Sequence, residues 1–282
     1  MSKKNFVIAI VAGMALAGSS CSSGNDQNQP KQEDTVSIAP EDQPAEEVDA
    51  PFSYKSDSIE RKFKNSATSK ISADFAKDGN KNLVKNINTY INDELGGKYK
   101  KEIEDTKDVL AFYANLQLDQ MKEDLTDNME YVYERRVLFS HETENYISYT
   151  SFLYTYTGGA HGASNSDGAT FRKSDGVQLT WDMFDDLKGN EFKQILKEGI
   201  KSYLEKGLEK KIKNDNEYKE YLLNVSDVNN LPLPSSNPYF SKKGLVIHYT
   251  QYEIAPYACG QPEFVVPFAT ARKFLKEPGF LF

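Results

Sequence analysis

Residues 129–139, Met-Glu-Tyr-Val-Tyr-Glu-Arg-Arg-Val-Leu-Phe, and residues 146–156, Tyr-Ile-Ser-Tyr-Thr-Ser-Phe-Leu-Tyr-Thr-Tyr, are separated only by the polar stretch Ser140 to Asn145. Both runs are rich in aromatic and β-branched side chains, the types that fit a pleated, half-buried surface. Joined by a short polar connector, they predict an antiparallel strand pair. The second run ends in Gly158-Gly159-Ala160-His161-Gly162. Beyond it, Ala169 to Arg172 and Val177 to Thr180 predict a hairpin around Gly176, a residue free to take positive φ.

Upstream of this pair the period changes. Leu83, Val84, Ile87, Tyr90, Ile91 and Leu95 follow helical spacing, with Asp78 or Asn80 as the cap and Gly96-Gly97 as the stop. A second helix is expected from Thr106 to Leu125, with Val109, Leu110, Tyr113, Leu116 and Met121 on one side. Phe52 to Ala73 reads as one strand entering the domain. Downstream, a long helix starts near Asn190 and carries Phe192, Leu196, Ile200 and Leu204 in its apolar stripe. Gly199 and Gly207 lie within that stripe, which implies that another backbone or sheet approaches closely, since glycine otherwise weakens a helix by about 1 kcal/mol. Phe240 to Tyr249 is a third hairpin, turning at Gly244. Glu263 to Phe268 is a last strand and Ala269 to Lys276 a short terminal helix, while Asn214 to Asn230 is polar and ambiguous. Segregated helices and hairpin-joined strands point to an α+β fold, antiparallel sheets with helices packed on one side, in two subdomains.

The termini supply a different kind of information. Lys3 and Lys4, the apolar run Phe6 to Leu16 and the small residues Ala17 to Ser20 have the form of a secretory signal, expected over residues 1–20. The apolar run is too short to span a bilayer as a mature helix. Cys21 follows the small residues directly, as in a bacterial lipobox, and is the expected lipidation site, although Gly18 stands where an aliphatic residue is usual. Residues 21–52 form a polar tether with eight acids and one base from residue 22 onward. Such a stretch cannot bury enough surface to offset its ordering entropy. Residues 53–165 and 166–282 are then the N-terminal and C-terminal α+β subdomains.

The formal charge of the whole chain is −8, from 34 basic and 42 acidic residues. Most of it resides in the tether, and residues 53–282 carry a net charge of only −3. A phosphate-backbone binder needs a concentrated basic surface, so nucleic acid is not an expected partner. The sequence has no phosphate loop with GK[ST], no dinucleotide glycine fingerprint after a strand, no HExxH and no GxSxG. His141, His161 and His248 are scattered, and Asp182, Asp185 and Asp186 lack calcium-loop spacing, so no metal and no cofactor are expected. Cys259, the one cysteine beyond the tether, lies within Tyr257-Ala258-Cys259-Gly260 and reads as a small buried residue in a tight turn.

Two segments are left as candidates for recognition. In Tyr154 to Gly162, glycines let the chain turn sharply and present His161 at the tip, or simply end a strand with the histidine bonded to neighbouring backbone. In Tyr249 to Gly260, Tyr249, Tyr252 and Tyr257 surround Pro256, and tyrosine offers large contact area at small entropic cost. Core packing beneath a loop explains this segment equally well.

At these two segments the chain resembles the RsiV-like group of envelope domains. The resemblance rests on Tyr-x-Tyr-Thr-Gly-Gly-Ala-His-Gly (Tyr154 to Gly162), Gly-Leu-Val-Ile-His-Tyr (Gly244 to Tyr249), Tyr-Glu-Ile-Ala-Pro-Tyr-Ala-x-Gly (Tyr252 to Gly260) and Val266-Pro267. Domains of this kind form the ectodomain of the RsiV anti-sigma factor, where they bind lysozyme, and occur beside the catalytic domain of the PdaC peptidoglycan deacetylase. The resemblance covers nearly all of residues 53–282 and implies an extracytoplasmic α+β module without catalysis of its own. The expectation is therefore an exported lipoprotein, anchored to a membrane through Cys21 on a periplasmic or cell-surface face. It would bind a lysozyme-like protein or a cell-wall glycan through Gly158, Gly159, His161, Tyr252, Glu253, Pro256 and Tyr257. The alternative is an envelope hydrolase acting on peptidoglycan or polysaccharide through His161, His248 and Glu253 as acid or base.

Overall fold

The structure, a computed structural model, describes residues 50–126 and 129–280. The expected signal, Cys21 and the tether as far as residue 49 lie outside the described residues. A five-stranded sheet is built from β1 (Ser53–Phe63), β2 (Ala67–Asp78), β3 (Tyr131–Glu142), β4 (Tyr146–Thr157) and β5 (Ala163–Arg172), in that spatial order. The segment read as one strand is thus a hairpin of two, turning at Lys64, where φ is +50°. Helices α1 (Lys81–Glu94) and α2 (Thr106–Asp124) both lie between β2 and β3.

The α+β arrangement with mainly antiparallel strands is as expected, with one exception at that connection, where β2 and β3 pair in parallel from Ala67↔Tyr131 to Ala73↔Val137. Parallel neighbours need a long crossover, and the two helices supply it. The remaining pairs of this sheet are antiparallel, including β3 with β4. Asn80 caps α1, its side chain accepting from Asn82 N and Leu83 N at 3.0 and 3.3 Å. Leu83, Ile87 and Ile91 of α1 and Val109, Leu110 and Tyr113 of α2 pack on Ile71, Phe75, Ile147, Tyr149 and Phe171 of the sheet.

The second sheet comprises β6 (Tyr239–Ser241), β7 (Gly244–His248) and β8 (Glu263–Pro267), all antiparallel. Helix α3 (Asn190–Leu208) lays Phe192, Leu196, Ile200 and Leu204 in one core with Leu245, Ile247 and Val266. Gly199 is the contact point, for a Cβ there would lie 2.3 Å from the Phe264 ring. The same expectation fails at Gly207, where nothing lies within 4 Å because the last turn of α3 is exposed. The ambiguous polar stretch holds α4 (Asp215–Glu220), with Tyr218 buried and its hydroxyl donating to the Lys197 carbonyl at 3.0 Å. The short α5 (Phe268–Ala271) is followed by single 3₁₀ turns at Arg272–Phe274 and Pro278–Phe280.

The two sheets meet at β5. Its Thr170 hydroxyl accepts from Phe240 N at 2.8 Å, and Gly168 leaves room for the Tyr239 ring, which a Cβ would meet at 2.6 Å. β5 pairs with β4 along its length, so the first sheet runs through the expected boundary at residues 165 and 166 as far as Arg172.

Candidate functional site

Glycines set the path of the chain from β4 into β5, where Gly158 and Gly159 take φ of +78° and +115° and turn the backbone round. Gly162 is needed for a different reason, since a Cβ there would lie 2.5 Å from the Tyr154 ring. The loop they form leaves His161 exposed, with its Nδ1 3.0 Å from the Gly162 carbonyl oxygen.

The Tyr/Pro segment reaches the same place from β7. Ile254 and Ala255 are buried and anchor it, and the Ile254 carbonyl accepts from Leu223 N at 2.9 Å. On either side of this anchor the chain projects tyrosines outward. Tyr252 has a φ of +65°, a conformation costly for a bulky residue, and is 57% exposed. Pro256 precedes a single 3₁₀ turn, Tyr257–Cys259, closed by Gly260 at φ +73°. Tyr257 is 36% exposed, and its hydroxyl donates to the Gly162 carbonyl at 3.0 Å.

The two loops therefore meet. The rings of His161 and Tyr257 stack with centroids 4.0 Å apart and an interplanar angle of 21°, and Tyr252 lies beside Tyr257 at 6.0 Å. Three exposed rings from two distant segments make one aromatic surface, with large contact area on rigid side chains.

Glu253 does not present its carboxylate to this surface. One oxygen accepts from Ser235 N at 2.6 Å, and the other from Thr250 N and Oγ1 at 2.7 and 3.0 Å. It fastens the turn that holds Tyr252. His248 lies within β7, only 4% exposed, and neither ring nitrogen has a hydrogen-bond partner. Burial lowers its pKa to about 4, so the imidazole is neutral near pH 7. Among the described residues, no group of three or more His, Cys, Asp or Glu side chains gathers closely enough to hold a metal ion. Cys259 is half-buried, and burial raises its thiol pKa, which disfavours the reactive thiolate. No helix among the described residues is long and apolar enough to cross a membrane.

One contributor escaped the sequence reading. The Gln261 side chain lies along the outer edge of β5, where its Oε1 accepts from Ser166 N at 3.2 Å and its Nε2 donates to the Ser164 carbonyl. A single amide thus stands in for a neighbouring strand and ties the Tyr/Pro loop to the sheet edge. Its position two residues after Cys259 carries no periodicity or motif that would have identified it.

This arrangement of a helix-crossed five-stranded sheet beside a three-stranded one is found in solved structures. The fold is shared with DUF3298 proteins. A DUF3298 family member from Bacteroides fragilis NCTC 9343 superposes with a TM-score of 0.60 at 19% identity, covering 80% of this chain and 94% of that one. A DUF3298 family protein from Pseudomonas aeruginosa PAO1 gives a TM-score of 0.55 at 15% identity, over 82% and 96% of the two chains. Residues 183–269 match the DUF3298 family itself, described as a protein of unknown function. Residues 52–164 match the family described as Deacetylase PdaC. The DUF3298 match covers the Tyr/Pro loop, the PdaC match covers the glycine loop, and the stacked rings join one to the other. No curated protein matches the chain.

Proposed function

We propose that this chain is an exported envelope lipoprotein, acylated at Cys21, that binds a lysozyme-like protein or a cell-wall glycan without transforming it. The ligand docks on the rings of His161, Tyr252 and Tyr257. Gly158, Gly159, Pro256 and Glu253 shape the loops that present them. The observation that carries this reading is the stack of His161 on Tyr257, which gathers exposed aromatic surface from two loops while the Glu253 carboxylate is engaged by backbone N–H groups. Exposed aromatic clusters of this kind are enriched at recognition surfaces and serve glycans and proteins alike.

A hydrolase using His161, His248 and Glu253 is the weaker reading, because the His248 imidazole is buried, both Glu253 carboxylate oxygens are engaged by backbone N–H groups, and of the three only His161 is exposed, stacked on Tyr257. Binding of the purified protein to lysozyme and to peptidoglycan fragments, measured by titration calorimetry, tests the proposal. Saturable binding to one of them, abolished by Tyr257→Ala and weakened by His161→Ala, supports it. Binding to neither, or binding indifferent to both substitutions, overturns it. Turnover of muropeptides by the same preparation would favour the hydrolase.

A further inference from the structure

A concavity whose lining includes none of the aromatic-loop residues lies between the start of α3 and the segment 224–233. We infer that this groove binds a free long-chain carboxylate, a function independent of the aromatic surface.

The groove has a volume of about 690 Å³, within the range of small-molecule sites. Leu187, Leu196, Val225 and Leu231 supply apolar surface, and the lining includes no acid. Lys188 and Lys193 are the lining residues that carry charge. Their situation differs from that of their neighbour Lys197, which is held by Asp215 at 2.8 Å. Neither Lys188 nor Lys193 has a carboxylate partner among the described residues.

An apolar trough flanked by two unneutralised ammonium groups is complementary to an alkyl chain that ends in an anion. Burying methylene groups drives association, and the paired charges fix the orientation of the chain. No arginine lines the groove, so an anionic headgroup would meet two lysine point charges rather than a bidentate fork, and dodecyl phosphate among the comparison ligands separates a phosphate from a carboxylate. An extended acidic peptide would bring backbone N–H and C=O groups against the leucines, where they would lack partners. Only Asn224, Ser226 and Asn230 offer polar side chains besides the lysines.

The test is titration calorimetry of the intact protein with dodecanoate below its micelle concentration, with dodecanol, dodecyl phosphate and an acidic peptide as comparison ligands. The expected result is one dodecanoate site per chain. Its affinity should fall roughly tenfold or more in the Lys188→Ala/Lys193→Ala variant, and fall again as salt is raised from about 0.05 M to about 0.5 M. Val225→Glu, which puts a carboxylate into the trough, should abolish binding with the far-ultraviolet circular dichroism unchanged. Should that variant unfold, the lysine pair decides, because neither lysine belongs to the core. Absence of saturable uptake, equal binding of dodecanol, tighter binding of dodecyl phosphate or of the peptide, or an unchanged affinity in the lysine variant would each overturn the inference.

Discussion

His161 and Tyr257 lie face to face, ring centroids 4.0 Å apart, although they are 96 residues apart in the sequence. A second fastener accompanies the stack, since the Tyr257 hydroxyl donates to the carbonyl of Gly162, the residue after His161. The two can be separated by substitution. Tyr257→Phe keeps the ring and removes one partly exposed hydrogen bond, at a cost of about 1 kcal/mol or less. Tyr257→Ala removes both. The ring-current shift of the His161 imidazole protons in the NMR spectrum should persist in the phenylalanine variant and vanish in the alanine variant. Ligand binding at this surface should follow the ring and not the hydroxyl.

Glu253 separates a structural from a chemical role for this loop. Its oxygens accept from Ser235 N and from Thr250 N and Oγ1, which closes the turn that forces Tyr252 to φ +65°. Glu253→Gln sets an amide N–H₂ against a backbone N–H, a donor against a donor. Urea denaturation should therefore show a loss of about 1–3 kcal/mol. A general acid or base would behave differently, with stability nearly unchanged on this conservative replacement and the effect confined to turnover.

The two glycines of α3 should respond to alanine with opposite signs. At Gly199 the new Cβ would lie 2.3 Å from the Phe264 ring, so helix and sheet must part or the ring must turn. Overpacking of this kind costs about 1–3 kcal/mol, against about 1 kcal/mol gained in helix propensity. At Gly207 nothing lies within 4 Å, and only the gain applies. Thermal denaturation should show Gly199→Ala melting below the parent protein. Gly207→Ala should melt a few degrees above it, a shift appropriate to about 1 kcal/mol in a domain of this size.

These glycines also mark what the sequence could and could not reveal. Signals carried by neighbouring residues were legible: Asn80 as a cap, Gly96-Gly97 as a stop, and the aromatic runs that became β3 and β4. The turn between β1 and β2 was not, because Lys64-Asn65-Ser66 lacks glycine or proline and the outward face of β1 is mostly charged or polar, which blurs its alternation. The parallel pairing of β2 with β3 depends on two helices folding back between them, information that no local window contains. The same division holds at the site. Each loop was recognisable from its own glycines or tyrosines, but the stack of His161 on Tyr257 and the clasp of Gln261 on the β5 edge exist only once the sheets have met.

His248 and Asp167 make the acid response of the fold a balance of opposite slopes. His248 is held neutral by burial, with its pKa lowered from 6.5 to about 4. Between those values the unfolded chain binds a proton that the folded chain does not, so this histidine removes stability as pH falls, by at most about 3 kcal/mol. Asp167 acts the other way. Burial raises its pKa from 3.8 to about 6, against the lowering effects of hydrogen bonds from Ser236 Oγ and Gly168 N at 2.7 Å each. Between pH 6 and 4 the folded chain therefore takes up a proton that the unfolded chain does not, and this carboxyl returns at most about 3 kcal/mol as pH falls. The two contributions nearly cancel over that interval, and single substitutions expose them. Relative to the parent protein, His248→Gln should gain stability as pH is lowered from about 6.5 to about 4, and Asp167→Asn should lose it over about pH 6 to 4. Denaturant midpoints measured at half-unit intervals of pH would show the two difference curves with opposite signs. Parallel curves for either variant and the parent would mean that the group titrates alike in the folded and unfolded chains.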